Sequence, residues 1–393
     1  MPIRSSYRSF KSRFEAVSTK ESGFNLLELL MAMAMATLIF MGITALYSYE
    51  ARSLGVQHSI ATMDRDARFA LEHLRRDLIT LGSNTTPNSA VDGLVCPKPD
   101  SPIRVIELSL TDSQQVYASL NPFVRTLSVR LFGSLDIKTR FVVESIAGPN
   151  VVLQDNGTLP STDVAWRATF TKDRFLRLAG PDGRMMFYPI QGSDRGSRQV
   201  TLSSVPARVS GTQPCGYQAN GEGLSADVQG YIRYRIIIDK RPEAPVDTKG
   251  LASRTILVRE RLAVDGKTVT GALPLADNVI ELGIYDAIFD SDPNPDRVGP
   301  TNLPDFEKSG LIDASGGGVL GGSGKMMPER LRAVNVVLSL RSQDELDGVR
   351  HDARTHVQAP LTTFKLSKSS GSACLVHTVA GRVPMPIMTA RNL

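Results

Sequence analysis

Histidine and cysteine are scarce in this 393-residue chain, with five of the first and three of the second. His58, His73, His351, His356 and His377 show no HExxH spacing. Cys96, Cys215 and Cys374 form no CxxC pair, and Cys374-x-x-His377 alone falls short of the ligands that a zinc site needs. His351 and His356 lie in the polar stretch HDARTH and read as exposed turn residues. There is no GxSxG elbow to present a nucleophilic serine. A phosphate loop fails too: counting back from Gly324-Lys325 puts Val319 where glycine is required, and Met326 replaces the Ser or Thr. Acidic residues are dispersed, and nothing selects a catalytic pair. The chain is expected not to be an enzyme.

A basic footprint is also missing. The net charge is +5, but the first 23 residues hold Arg4, Arg8, Lys11, Arg13 and Lys20 against Glu15 and Glu21. The rest of the chain is nearly balanced, so no nucleic-acid partner is expected. Apolar residues at 41% and charged residues at 22% are ordinary for a folded protein and argue against a mainly disordered one. At this length two or three globular units are expected.

What stands out is one apolar block near the N-terminus. Residues 24 to 49 read FNLLELLMAMAMATLIFMGITALYSY, with no proline and a single charge, Glu28. From Leu29 to Tyr47 no residue is charged, which at 1.5 Å per residue suffices for a bilayer core of roughly 30 Å. Leu, Met and Ala favour helix, and the basic flank before the block stays cytoplasmic by the positive-inside rule. The bulk of the chain then lies outside. A secretory signal places its apolar core ahead of the cleavage site and loses it. Here the expected processing point lies before the core, as the following signature implies.

Ser22-Gly23-Phe24-Asn25-Leu26-Leu27-Glu28 resembles the type IV prepilin signature, a basic leader ending in Gly, cut before an aromatic residue, with Glu at the fifth mature position. The resemblance implies cleavage between Gly23 and Phe24 by a prepilin peptidase, N-methylation of Phe24, and retention of the helix as membrane anchor and later as filament core. A carboxylate one turn into an apolar helix costs about 2.5–3.5 kcal/mol on insertion scales. In the family a neighbouring subunit's N-terminal amine compensates Glu28, and this ion pair guides subunit assembly.

Past Tyr49 the spacing stays helical, with Ile60, Met63, Ala67, Ala70, Leu71, Leu74, Leu78 and Leu81 on one face. Asp64, Arg65, Arg68, Glu72, Arg75, Arg76 and Asp77 read as a solvated stripe. Gly82 stands where a C-terminal cap is expected, so residues 24 to 81 predict a near-continuous helix of about 87 Å, loosened near Gly55. Short β-type runs follow: IRVIEL, VRTLSVRLF, TRFVVES, VVLQD, WRATFTK, RFLRLAG, MMFYPI and RQVTLSS, then YIRYRIIID, RTILVRERLAV, NVIELGIYDAIF and LRAVNVVLSLRS. The expected class is α+β, a long N-terminal helix packed on a largely antiparallel β-rich region in the lollipop manner of pilins. The divisions are a leader (1–23), a membrane and filament-core helix (24–49), an amphipathic helix (50–82), a β-rich lobe (83–225) and a β-rich C-terminal region (226–393) with a Gly-rich loop at 305–328.

The stretch ARFALEHLRRDLITLG, and the order RYRIIID, RTILVRERL, PLADNVIELGIYDAIFDSD, LRAVNVVLSLRS and TARNL, are similar to PilW-type minor pilins. That resemblance implies a minor pilin that helps initiate a type IV pilus and caps it, with a role in adhesion or motility. Its partners would be other minor pilins, the major pilin and the inner-membrane assembly machinery. It would sit in the inner membrane with its globular region in the periplasm, then on the fibre or its tip at the cell surface. A minor pseudopilin of a type II secretion system shares the same N-terminal features. A membrane-tethered adhesin or binding protein is the third reading.

Two smaller features complete the sequence. Asp290-x-Asp292-x-Asn294-x-Asp296 alternates oxygen ligands as a calcium loop does, but Pro295 occupies the turn-glycine position and Thr301 the place of the bidentate Glu. A turn with solvated carboxylates is the plainer reading, so no cofactor is expected and calcium is the one candidate. If the region is exported, two of Cys96, Cys215 and Cys374 can pair in any of three ways, or all three stay free.

Overall fold

The computed structural model describes residues 25–82, 84–90, 92–110, 112–114, 117–124, 126–210, 215–240, 254–290, 295–298, 331–343, 345–346, 349–352, 360–366 and 372–385. Contacts divide the chain into two units, Met1–His58 and Ser59–Leu393. Helix α1, Leu26–Ile79, is unbroken at Gly55. In the first unit every residue from Asn25 to Arg52 is exposed. In the second unit the helix buries Met63, Ala67, Ala70, Leu74 and Leu78, a one-sided stripe at steps of three and four. It ends where Gly82 takes φ +82°, the left-handed conformation that glycine adopts without a Cβ penalty.

The strands of the second unit are β1 (Ile106–Ser109), β2 (Ser128–Gly133), β3 (Arg140–Ala147), β4 (Asn150–Leu153), β5 (Phe175–Ala179), β6 (Met185–Asp194), β7 (Gln199–Leu202), β8 (Ser225–Ile238), β9 (Thr255–Leu262), β10 (Val269–Asp277), β11 (Val279–Asp290), β12 (Pro295–Val298), β13 (Leu331–Arg341), β14 (Thr363–Phe364) and β15 (Cys374–Pro384). All of their ladders are antiparallel. β1 to β10 make one ten-stranded sheet, and β11 to β15 a second in the order β12-β11-β13-β15-β14. The protein is thus α+β, with a long apolar N-terminal helix and a largely antiparallel β region.

The main core lies under the second half of α1. Leu74 and Leu78 share one buried cluster with Val129, Leu131, Tyr234, Ile236 and Leu257 from the first sheet and Leu282, Val336 and Leu338 from the second. Alternate residues of β13, Val334, Val336, Leu338 and Leu340, all face this core, as a two-residue period requires. Each fully buried leucine or valine contributes about 1.5–3 kcal/mol.

β8 is the seam of the fold. Its first residues pair with β3 and β5, and its later ones with β2 and β9. A second core, including Phe141, Val143, Val151, Trp166, Phe170, Leu176 and Val228, fills the lobe built from β3 to β7. The span 83–225 therefore divides: β1 and β2 belong to the helix core, and β3 to β7 enclose a core of their own.

One run read as a strand is a helix. WRATFTK begins inside α2, Asp163–Thr169, capped by the Thr162 side chain, which accepts from the Ala165 amide. Trp166 and Phe170 stand four residues apart and are both buried, with ring centroids 4.6 Å apart, so one helical face fills the lobe. Strands β10, β12, β14 and β15 were not among the runs read from the sequence.

Cys96 and Cys215 are joined as a disulfide, with Cα atoms 5.3 Å apart and a sequence separation of 119 residues. Cys374 is a buried free thiol. Burial raises its pKa, and its neighbour is Arg341, whose Nη1 lies 3.9 Å from Sγ. On loop entropy, a cross-link of this span stabilises by about 4–5 kcal/mol. Chemical denaturation of a Cys96→Ser, Cys215→Ser double variant is expected to show a loss of that order. A midpoint equal to wild type under oxidising conditions would refute the estimate.

Candidate functional site

The first turn of α1 carries the single charge of the apolar segment. Asn25 starts the helix, its carbonyl accepting from the Glu28 amide at 2.8 Å and the Leu29 amide at 3.2 Å. Glu28 thereby sits in the first turn, where the helix dipole favours a carboxylate. Beyond it, large apolar side chains project all round the helix, with Phe40 and Met41 each 67% exposed. Such a surface is stable only against lipid or other apolar helices.

Three aliphatic hydroxyls inside this segment, those of Thr37, Thr44 and Ser48, need no water. Thr37 donates to the Ala34 carbonyl at 2.7 Å, Thr44 to Phe40 at 2.9 Å and Ser48 to Thr44 at 2.7 Å. Each hydroxyl is satisfied on its own helix, as a hydrocarbon environment demands. Helix α1 is long and apolar enough to cross a membrane, and such an N-terminal helix serves as an anchor or as a signal sequence.

The sequence reading put Asp77 in a solvated stripe, and the structure corrects this. Asp77 is only 5% exposed. Its Oδ2 accepts from the Tyr234 hydroxyl at 2.5 Å and from Arg259 Nε at 2.8 Å. Arg259 also donates to Asp136 at 2.8 Å, and Arg261 donates to the other Asp136 oxygen at 2.7 Å. Burial and the Asp77 carboxylate raise the Tyr234 pKa. Burial works against the Arg259 charge, but the bond to Asp77 and its negative charge outweigh it and hold the guanidinium above its ordinary range. Burial also raises the Asp136 pKa, yet Arg259, Arg261 and Arg174 more than reverse that and keep it below the usual carboxylate range.

A spacing signal for Asp77 was present in the sequence. It follows Leu74 by three and precedes Leu78 and Leu81, inside the buried arc of the helix. What no spacing could reveal was its partners on β8 and β9, more than 150 residues away.

Elsewhere on the same helix, Asp64 accepts from Arg68 at 2.8 Å and meets His377 Nε2 of β15 at 2.9 Å. His377 is thus paired with a helix carboxylate, and Cys374, three positions before it, is buried against Arg341. His351 is half-buried beside Thr363 rather than fully exposed, and burial lowers its pKa.

Of the site residues read from the sequence, Glu28 lies in the described helix, whereas Gly23 and Phe24 lie outside the described residues. Asp290 ends β11 and Asp296 lies in β12, while Asp292 and Asn294 fall outside the described residues. So do the Gly-rich stretch 305–328 and His356. Among the described residues no three His, Cys, Asp or Glu side chains are grouped to hold a metal ion.

Compared with protein-family models, curated proteins and solved structures, the chain matches none. Its function is therefore argued from its own residues.

Proposed function

We propose that the chain is a minor subunit of a type IV pilus, exported and processed as a prepilin and assembled through its N-terminal helix. The observation that carries this reading is an exposed apolar helix with one carboxylate, Glu28, in its first turn. Burying that carboxylate among apolar neighbours needs a cationic partner, and a free amine at Phe24 of an adjacent subunit is one of matching charge. The second half of the helix is covered by a strand-rich unit, the plan expected of a pilin. The Cys96–Cys215 bond adds support, because disulfides persist in oxidising compartments such as the periplasm. With a β unit of more than 300 residues, the subunit suits the tip of a fibre better than a repeating shaft.

The processing step gives the direct test. Mass spectrometry of the protein from its membrane is expected to find a mature N-terminus at Phe24 carrying a methyl group. Gly23→Leu should leave the leader attached and the protein in the inner membrane. A mature end at any other residue overturns the proposal. Recovery of the wild-type chain in sheared pili alongside other minor pilins separates it from a secretion pseudopilin.

A further inference from the structure

A cavity of about 140 Å³ lies where the segment after α2 meets the ends of β2 and β9 and the middle of β8. Asp136, Thr171, Asp173, Arg174, Arg261 and Thr270 line it, beside Gly230 of β8. Arg174 is nine-tenths buried, and its stem lies over Gly230, where a Cβ would come within 3.5 Å of Cγ. Its guanidinium has five N–H donors but, among the described residues, only two hydrogen bonds, to the Thr169 carbonyl and to Asp136, both at 3.4 Å. Those are long for charge-assisted bonds, which settle at about 2.7–2.9 Å.

The reason is competition for Asp136. Its two oxygens already take the close bonds from Arg259 and Arg261, so Arg174 is left at the margin. Asp173 attracts Arg174 by charge without bonding to it. Burial lowers the Arg174 pKa, and Asp136 opposes this, but the like charges of Arg261 and Arg259 add to the lowering. A desolvated guanidinium with no close acceptor is costly.

The lining carries two carboxylates, Asp136 and Asp173, against Arg174 and Arg261, and two hydroxyls on the other walls have protons to offer. Thr171 Oγ1 accepts from the Asp173 amide at 3.2 Å, which leaves its own proton to give. Among the described residues, the Thr270 hydroxyl has only a 3.5 Å contact with the Arg261 carbonyl. The Arg261 side chain is 56% exposed, so one rim is wet and a solute can enter there. The volume suffices for several waters or for one tetrahedral oxyanion.

The geometry points to this cavity as a binding site for one small oxyanion of the phosphate class, held by Arg174 and Arg261 and oriented by the Thr171 and Thr270 hydroxyls. Nothing in the pilus reading requires it, and the two stand or fall separately.

Isothermal titration of the full chain in detergent with inorganic phosphate tests this. Saturable binding of one phosphate per chain is expected, weakened about tenfold or more in Arg261→Gln, whose exposed side chain makes misfolding a minor risk. Thr270→Val should weaken it less, and Arg65→Gln, a remote exposed arginine, should leave it unchanged. Arg174→Gln should abolish it, with circular dichroism to check that the variant folds. Absence of saturable heat with phosphate overturns the assignment. So does binding that Arg261→Gln and Thr270→Val leave untouched, or that Arg65→Gln weakens as much as they do.

Discussion

Asp77→Ala is expected to destabilise the β-rich unit by about 3–5 kcal/mol, the cost of removing one partner from a buried pair. The substitution leaves the Tyr234 hydroxyl without its 2.5 Å acceptor and Arg259 with Asp136 alone. It also opens a gap beside Leu74 and Leu78 in the main core. Asp77→Asn keeps an acceptor for Tyr234 but loses the charge, so it should fall between wild type and alanine. Replacing Asp77 and Arg259 together with leucine and methionine should recover much of the loss, because a well-packed apolar pair removes the unpaired charge. Urea denaturation followed by circular dichroism measures all three. An Asp77→Ala midpoint indistinguishable from wild type would show that the network is not what holds the helix to the sheet.

The pH dependence of the same network has a fixed sign. Asp136 titrates below its unfolded value, so its contribution is fully present above the ordinary carboxylate range. It is lost as pH falls through the depressed folded value. Stability should therefore be flat near neutrality as far as Asp136 is concerned and decline only in acid.

The largest functional effect is expected at Glu28. Glu28→Leu should lower recovery of the subunit in sheared filaments by about tenfold or more, while the protein stays in the membrane fraction. Removing the only charge from the apolar run makes insertion more favourable, by up to about 2.5–3.5 kcal/mol at the centre of a span and less near its end. Retention and assembly thus move in opposite directions, which a merely structural role would not produce. Glu28→Gln, which keeps the size but not the charge, should assemble poorly as well if an amine is the partner. Quantitative immunoblots of membrane and sheared fractions decide it. Recovery of Glu28→Leu in filaments at the wild-type level would mean that the carboxylate only reaches to the interface.

Local patterns in the sequence were reliable where one element settles its own structure. The helix from Leu26 to Ile79 follows from its composition and its stripe of Met63, Ala67, Ala70 and Leu74. Its end at Gly82 follows from the positive φ that glycine takes there. The WRATFTK segment misled because a seven-residue helix carries too few turns for periodicity to outweigh a β-like composition. The Trp166 and Phe170 spacing and the Thr162-Asp163 cap before it were its helical signs. β10 was hidden by Pro274 and two register shifts, and β15 by Gly381 and a two-sided, half-buried pattern.

The sequence by itself determined the exposed apolar helix, the place of Glu28 in its first turn and the antiparallel α+β class, because these depend on run length, propensity and period along neighbouring residues. Tertiary structure alone decided which cysteines join, that Asp77 turns inward to Tyr234 and Arg259, that β8 divides two cores, and that Arg174 is left with only distant acceptors. Each of these is a competition among groups far apart in the chain. Long-range contacts of that kind are chosen by packing and charge balance in the folded state, and no local pattern records them.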